Sequence, residues 1–415
     1  MTTLSPTPPT STLPTRTLAI LLTLLVAFGP MCTDLYLPSL PDMARDLRTT
    51  TAMVQMTMSA FVIGFAVMQL AYGPLSDRFG RRRVIMGGVV LYVVASLFCV
   101  VAPTIEALIA GRFVQALGAC CGPVVSRAVV RDIFPGDQAA KVMSYMASAM
   151  ALAPLVAPTL GGWFHVWFGW RSNFLLLALF GVILLVMVWR LLGETNRHPD
   201  PTALDPGRML ENYGALLRHR GFVGYVLTVT VIFGGVFIYL SSSSFVLIDA
   251  LGLPPQYFGL GFSMASLGYL VGGFVAARVT HRIGIERMVG IGLVGCTLAG
   301  MVMAGLAWSG IAQSGIGMVG RVASVMVPMM VFFSFAALVM PNATAGAIAP
   351  FPHMAGAASA GIGFSQMAGG AVIGWVGGLV FDGSARPMAT AMAVLAALAT
   401  VIFFSLVRRQ AAPGD

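Results

Sequence analysis

The chain has 415 residues, of which 58% are hydrophobic and 9% are charged, and its formal net charge is +9. Soluble domains carry about 25% charged residues, so this composition excludes a soluble globular protein and requires lipid to cover the apolar surface. The basic excess does not indicate a nucleic-acid partner, because the arginines collect in the links on one side of the predicted membrane spans.

Apolar runs of membrane-spanning length follow one another along the chain. A bilayer core of about 30 Å needs roughly 20 apolar residues per helix, and these runs lack the strict alternation of barrel strands. About twelve spans are predicted, starting near residues 17, 51, 84, 105, 140, 172, 221, 257, 288, 316, 355 and 388. The sequence therefore predicts an all-α, polytopic membrane protein.

The first span ends in the tract Thr33-Asp34-Leu35-Tyr36-Leu37-Pro38. It follows a tail, residues 1–16, which is rich in Thr, Pro and Ser and lacks the basic start of a signal peptide. Asp34 is the only acid within the span, and an intramembrane carboxylate is by default a functional hypothesis. We predict that Asp34 trades a proton for substrate. The alternative is that it lies at the outer interface and caps local backbone.

The link between the second and third spans reads Gly73-Pro74-Leu75-Ser76-Asp77-Arg78-Phe79-Gly80-Arg81-Arg82-Arg83. A short basic link is expected in the cytoplasm, and an even number of spans then places both termini there. The Gly and Asp spacing exceeds what topology alone requires, so we predict a conformational latch rather than a plain topogenic loop. Its residues are Gly73 for close approach, Asp77 facing a helix dipole, Gly80, and the pairing arginines Arg78, Arg81 and Arg82.

The fourth span carries Arg112. A charge there costs about 2.5–3.5 kcal/mol on insertion scales, so it should face a cavity or a partner. Arg112 and Gln115 share a helical face with small or polar residues, which predicts that this face lines the interior. The alternative is an arginine that snorkels to the outer surface.

The fifth span contains two prolines and a glycine pair. We predict that Pro154, Pro158, Gly161 and Gly162 bend this helix and leave a pliable, tightly packed contact.

A polar linker, residues 193–220, divides the chain near its middle. Six predicted spans precede it (residues 17–192) and six follow (residues 221–407), before a short tail (residues 408–415). Arg78-Phe79-Gly80 is echoed by Arg282-Ile283-Gly284, and Gly111-Arg112 by Gly320-Arg321. These echoes predict two six-helix bundles related by a pseudo-two-fold axis along the membrane normal, with the substrate site between them. Residues 207–218 could form a short helix on the membrane surface.

The predicted cavity combines polar groups with aromatic and Met-rich walls, which suits an amphipathic ligand. Each polar residue could instead serve helix packing. The candidate cavity residues are Tyr36, Gln69, Gln115, Tyr239, Arg321 and Gln366.

Catalytic and metal-binding patterns are not found in the sequence. The five cysteines fall in or beside apolar runs without metal-ligand spacing, and no P-loop or clustered His, Asp or Ser–His pattern is present. We therefore expect no metal, no cofactor and no enzymatic activity.

The four motifs together resemble the major facilitator superfamily. The arginine-rich link resembles that superfamily's signature between helices two and three. The Arg112 element resembles its R-x-x-Q-G element, linked there to proton coupling, although Ala116 follows Gln115 here. The stretch 153–162 resembles the G-P-x-x-G-G element of drug antiporters, with Ala157 in place of the first glycine. With the Thr33–Pro41 tract, the resemblance is closest to the Bcr/CflA group of twelve-helix drug:proton antiporters.

The resemblance implies proton-coupled efflux of small amphipathic or apolar drugs by alternating access, in the bacterial inner membrane and as a monomer. The expected partners are a small-molecule substrate, protons and the bilayer. One departure matters: where some relatives carry a second carboxylate, this chain reads Leu24-Leu25-Val26-Ala27, which favours a single proton site. An exporter or symporter of a native metabolite, such as a sugar or amino acid, remains the rival interpretation.

Overall fold

Twelve helical segments are long and apolar enough to cross a membrane, within the residues that this computed structural model describes, which are 15–197, 199–310 and 317–407. Their starts lie within a few residues of the predicted ones, so the predicted spans are confirmed. Most of the predicted N-terminal tail and all of the predicted C-terminal tail lie outside the described residues.

The first half supplies six spans from eight helices, because the first and fourth spans are each interrupted. Thr50 and Thr104 each accept a hydrogen bond from the backbone N–H three residues on, which satisfies a free donor at a helix start. The helices are α1 (Thr15–Asp34), α2 (Leu40–Asp46), α3 (Thr51–Phe79), α4 (Arg81–Val101), α5 (Ile105–Ala119), α6 (Cys121–Ile133), α7 (Gly136–Phe168) and α8 (Arg171–Leu191).

The second half begins after a linker that contains the short helix expected from the sequence. That helix is α9 (Pro206–Arg218), and the Asp205 carboxylate accepts a hydrogen bond from the backbone N–H of Gly207 at its start. The six spans that follow are built on α10 (Arg220–Ser244), α11 (Phe258–Ile283), α12 (Ile285–Trp308), α13 (Met318–Ile348), α14 (Ala355–Leu379) and α15 (Arg386–Ile402).

Each principal helix contact in the first half has a counterpart in the second. α1 packs on α7 as α10 packs on α14, α3 on α5 as α11 on α13, and α4 on α8 as α12 on α15. The contacts between halves show the same correspondence: α3 packs on α14, and their counterparts α11 and α7 pack on each other. This correspondence is what a duplicated six-helix unit with a pseudo-two-fold axis produces.

The two ends of the bundle differ in charge. We call the end that contains the Gly80 link and α9 the arginine-rich end, and the end that contains the α1–α2 turn the opposite end. Large apolar side chains between them, such as Val94, Leu179, Phe274 and Leu298, are exposed on the outer surface. Lipid covers such a surface in a membrane protein.

Candidate functional site

Arg112 on α5 is fully buried within the first half. Its Nη1 donates a hydrogen bond to the Gln115 amide oxygen, and its Nη2 donates to the Cys32 carbonyl oxygen at 3.0 Å. The guanidinium also lies over the rings of Phe61 and Tyr36, at 4.3 and 4.4 Å from the ring centroids. The side chain therefore points into the bundle, and the alternative of an arginine at the outer surface does not describe it.

The end of α1 explains why the Cys32 carbonyl is available to Arg112. The last four carbonyls of a helix have no partner within it, and α1 ends at Asp34. Gln115 is held in turn, because its Nε2 donates to Ser96 Oγ at 2.7 Å. Arg112 thus joins α1, α4 and α5 through a chain of buried hydrogen bonds.

Asp34 is also buried, with 3% of its surface exposed. Thr33 Oγ1 donates to its carboxylate at 2.8 Å, and no ion pair reaches it from the residues that the structure describes. It is the last residue of α1, where the helix dipole places partial negative charge. A carboxylate in this position has no local group that balances its charge. Asp34 and Arg112 are therefore near each other through Cys32 but are not paired.

The six candidate cavity residues do not share one open cavity. Tyr36 and Gln115 are fully buried beside Arg112, and the Tyr36 hydroxyl lies 3.1 Å from Thr57 Oγ1. Tyr239 is fully buried in the second half, where its ring packs against Phe262. Because all three are enclosed by packed helices, the expectation that they border open space is wrong for this conformation.

The other three candidates are only partly buried. Gln69 borders a cavity at the arginine-rich end, which is described below. Arg321 lies near the start of α13, and Gln366 lies in the middle of α14. Contact of any of these residues with substrate stays a prediction.

Arg81 forms the centre of a cluster at the arginine-rich end. Its guanidinium donates to Ser76 Oγ at 2.6 Å, to Asp77 Oδ1 at 2.5 Å and to Asp132 Oδ2 at 3.0 Å. The side chain is 9% exposed. Asp132 at the end of α6 is the carboxylate partner that the sequence motif did not identify. The cluster ties α3, α4 and α6 together.

The linker after α8 binds to this cluster. Glu194 accepts hydrogen bonds from the backbone N–H of Arg81 at 2.8 Å and from those of the next two linker residues. Gly80 has φ +93°, and a Cβ added there would overlap the Glu194 carboxylate. Gly80 therefore allows Glu194 to place its negative charge at the start of α4, where a helix dipole favours it.

The remaining latch residues behave differently from one another. A Cβ at Gly73 would meet nothing within 4 Å, so the expectation that Gly73 permits close helix approach is wrong; it borders a cavity instead. Arg78 is exposed and lies 5.3 Å from the centroid of the Phe79 ring. Arg82 donates to the Trp189 carbonyl oxygen at 2.8 Å.

The fifth-span element lies where the two halves meet near the opposite end. Within the first half, a Cβ at Gly161 would overlap the Leu35 carbonyl oxygen. Across the halves, a Cβ at Gly162 would come within 2.7 Å of the Pro255 carbonyl oxygen. A Cβ at Gly259 would overlap Thr159 in the same way. These glycines let backbones approach closely where lipid supplies no hydrophobic drive. The kink residues Pro154 and Pro158 lie inside the same helix, α7.

Ionic contacts hold the same end of the molecule closed. Arg45 forms an ion pair with Asp42 and a second, at 3.2 Å, with Asp249 in the other half. Asp42 Oδ2 also lies 2.5 Å from Nε2 of His165 on α7. Sequence spacing could identify only the Asp42–Arg45 pair, which is three residues apart, because His165 and Asp249 come from distant segments.

A cavity of about 880 Å³ opens at the arginine-rich end. Its walls come from α3, α4, α6 and α7 of the first half, from α14 of the second, and from the linker with α9 between them. The halves are thus in close contact near the opposite end and separated at the arginine-rich end. Such an arrangement is one of the two states that alternating access requires.

Gly162→Leu is expected to prevent closure of the opposite end, because a side chain there must displace the backbone at Pro255. Distances between spin labels at residues 106 and 309, one in each half at that end, should lengthen in double electron–electron resonance. Gly305→Leu is the matched control, since a Cβ at Gly305 meets nothing within 4 Å. Wild-type distances in Gly162→Leu would show that the glycine contact does not hold this end closed.

Comparison with known families and proteins supports one assignment. The model of the Major Facilitator Superfamily matches residues 22–371. The chain is 32% identical to the Bacillus subtilis protein named "Uncharacterized MFS-type transporter YdgK", covering 95% of this chain and 96% of that one. It is 31% identical to a "Bicyclomycin resistance protein homolog" of Haemophilus influenzae, covering 94% and 95% of the two chains. It is 29% identical to "Multidrug resistance protein D" of Escherichia coli, covering 96% and 98%.

Solved structures show the same fold at low sequence identity. The crystal structure of a D-xylose–proton symporter superposes with a TM-score of 0.74 at 14% identity, covering 94% of this chain and 98% of that one. At this identity the likeness concerns the fold alone.

Proposed function

The chain belongs to the Major Facilitator Superfamily and to its drug:proton antiporter group, and from this premise we propose that it exports small amphipathic or apolar drugs in exchange for protons. The relatives of similar length carry names that refer to bicyclomycin and multidrug resistance. The protein is accordingly a multi-pass membrane transporter.

One observation carries the proposal: two buried ionisable side chains in the first half, Asp34 and Arg112, form no ion pair among the described residues and lie beside a contact between halves that closes only one end. Ionisable groups inside a membrane are costly to bury, so they are retained for function rather than stability. Asp34 is close to the α1–α7 contact at Gly161, and Arg112 contacts the last turn of α1. The neighbouring Gly162 meets the Pro255 carbonyl oxygen of the second half, so a change in the charge of Asp34 acts one residue from a contact between the halves.

The proposed cycle uses these groups in turn. When the opposite end opens, a proton from outside neutralises Asp34 and the export substrate leaves. The halves then close as in this structure, and the proton is released towards the cavity at the arginine-rich end as a new substrate enters. Arg112 positions the end of α1 through its bond to the Cys32 carbonyl, so it couples the state of Asp34 to the bundle. The cluster around Arg81 is proposed to act as a latch that releases in one of the two states.

Orientation and assembly are part of the proposal. The excess of arginine at the Gly80 link and along α9 places that end in the cytoplasm, since basic short links stay on the cytoplasmic side. We infer a bacterial inner-membrane protein that acts as a monomer with both termini in the cytoplasm. We also propose that residues 193–220 divide the chain into its two halves, because six spans precede this polar linker and six follow it.

The rival interpretation is transport of a native metabolite such as a sugar or amino acid. The D-xylose symporter shares the fold but only 14% of its residues, so this likeness carries no information on substrate. The glycines of the fifth-span element, which belong to the drug-antiporter resemblance, favour the export interpretation.

Reconstituted vesicles test the proposed function. Purified protein in liposomes with a pH gradient and an internal pH-sensitive dye should show proton flux when chloramphenicol, bicyclomycin or a hydrophobic dye is added. The flux should run opposite to the drug and vanish without protein. If proton flux appears only when sugars or amino acids are added, the rival interpretation is correct and drug export is not. Substrate transport without proton flux would contradict antiport.

A further inference from the structure

Two arginines border the cavity at the arginine-rich end. Arg127 and Arg131 lie one turn apart on α6, and both border the cavity. Both are exposed, and neither takes part in an ion pair or hydrogen bond with any part of the chain that the structure describes. Like charges at this spacing on a helix repel each other. Within the described residues, therefore, no ion pair neutralises the positive charge of these two arginines.

The carboxylates around the cavity are bound elsewhere. Asp77 and Asp132 both accept from Arg81, and Asp132 also accepts from Thr195 Oγ1 at 3.1 Å. Asp200 accepts from the backbone N–H and the hydroxyl of Thr202, at 2.8 and 2.7 Å. None of these three carboxylates forms an ion pair with Arg127 or Arg131 among the described residues.

Topology alone does not require arginines in this position. A basic residue orients a span when it lies anywhere in the flanking link, as Arg83 and Arg218 do on the outer surface of the same end. Arg127 and Arg131 instead face a space between the two halves, through which a substrate would have to pass. Their placement indicates a ligand rather than orientation.

The cavity wall is mixed, and part of it is apolar. Val124 and Met143 border it from the first half, and Ala355, Ala357 and Ala360 border it from α14. A ligand that suits both the charged pair and these walls has an anionic group attached to an apolar body. Arginine matches such groups well, because its planar fork donates two parallel hydrogen bonds to a carboxylate or phosphate.

We propose that Arg127 and Arg131 form an anion-binding subsite at the mouth of the transport cavity, which takes the carboxylate, sulfonate or phosphate group of an amphipathic molecule. This rests on the proposed function in one respect, namely that the cavity is the path of an exported substrate. The anionic group has two sources, an exported molecule or the headgroup of an anionic phospholipid from the adjacent leaflet. The recognition chemistry is the same for both.

Two probes that differ only in charge test the subsite. Calorimetric titration of the full chain in detergent at neutral pH should show that 2-naphthoate binds about tenfold more tightly than the neutral 2-naphthamide, a free-energy difference typical of a charge-assisted contact. In Arg127→Gln/Arg131→Gln this preference should vanish, while the affinity for 2-naphthamide stays unchanged. In the matched control Arg83→Gln/Arg218→Gln, which removes two charges from the same end outside the cavity, the preference should persist.

The same affinities, measured for the protein in lipid nanodiscs, distinguish the two sources of the anionic group. If phosphatidylglycerol, added to phosphatidylcholine discs, removes the naphthoate preference of the wild type, a lipid headgroup occupies the subsite; if the preference stays, the group belongs to the exported molecule. Equal affinities of the wild type for both probes, or a preference that survives in the double variant, would overturn the subsite.

Chemical modification keeps the test decisive if the double variant does not fold. Phenylglyoxal should modify Arg127 and Arg131 of the wild type, and 2-naphthoate but not 2-naphthamide should protect them, as mapped by mass spectrometry. Equal modification with and without 2-naphthoate would overturn the proposal. None of these measurements uses a proton gradient. The anion subsite can therefore be disproved while drug–proton exchange is observed in vesicles, and drug–proton exchange can be disproved while the subsite is observed.

Discussion

Asp34→Asn is expected to abolish the proton flux that accompanies export while substrate binding persists. The asparagine keeps the size of the side chain and can still accept from Thr33, but it cannot take up a proton. Because Asp34 has no cationic partner among the described residues, a neutral side chain removes an unbalanced buried charge and should not destabilise the fold. Substrate-induced proton release from the purified protein in detergent measures the effect directly.

The control for this variant is Asp137→Asn, which neutralises an exposed carboxylate in the first turn of α7. Its proton release should match that of the wild type. Export driven by a substrate gradient could continue in Asp34→Asn, but it should no longer respond to the pH gradient. If proton release in Asp34→Asn equals that of the wild type, Asp34 is not the proton site.

Arg112→Met is expected to abolish coupled export while the protein remains folded. Methionine fills most of the space between the Phe61 and Tyr36 rings and so avoids the void that a smaller side chain would leave. The Gln115 amide oxygen and the Cys32 carbonyl still lose their donor, which costs about 1–3 kcal/mol for each group, so the unfolding temperature should fall moderately. What the variant loses is the bond to the Cys32 carbonyl, and with it the connection between α5 and the end of α1. Proton-driven drug flux in proteoliposomes, with the unfolding temperature measured in parallel, checks both parts.

Truncation at the same position is a less informative experiment. Arg112→Ala leaves the Gln115 amide oxygen and the Cys32 carbonyl without their donor, at about 1–3 kcal/mol for each orphaned group, and opens a void between the rings. The packing around Arg112 therefore indicates a lower unfolding temperature for Arg112→Ala.

Arg171→Met is the matched control for Arg112→Met. Arg171 also stacks on an aromatic ring, Trp170 at 4.2 Å, and donates to a backbone carbonyl, that of Ala102. It differs in lying exposed at the start of α8. Its loss should leave coupled export intact. Wild-type coupled export in Arg112→Met would remove Arg112 from the coupling mechanism.

The spans could be predicted from the sequence because the bilayer imposes a length that a single helix must satisfy by itself. The polar linker could be located because a stretch rich in proline and charged residues cannot lie in the hydrocarbon core. The burial of Arg112 followed from the small and polar face that it shares with Gln115, although that face packs inside the first half rather than along the space between halves.

Contacts between distant segments could not be predicted in the same way. Glu194 meets the Gly80 link, and Asp249 meets Arg45, only because the fold brings those segments together. The error at Gly73 has the same cause, since a glycine in a sequence shows that close approach is permitted but not whether a neighbour is there. The spacing of the motifs was enough to locate the charged groups. Their partners depend on tertiary packing and could not be predicted from the sequence.

The binding of the linker at two places sets a mechanical limit on the motion of the halves. Asn196 and Asp200 bond to the backbone of Asp77 in the first half, while α9 packs on α10 and α14 of the second. Only residues 201–205 lie between these attachments, and five residues span at most about 17 Å when fully extended. While these contacts hold, the length of this segment limits how far the two halves can separate at the arginine-rich end, so wider opening would first require the linker to detach from Asp77.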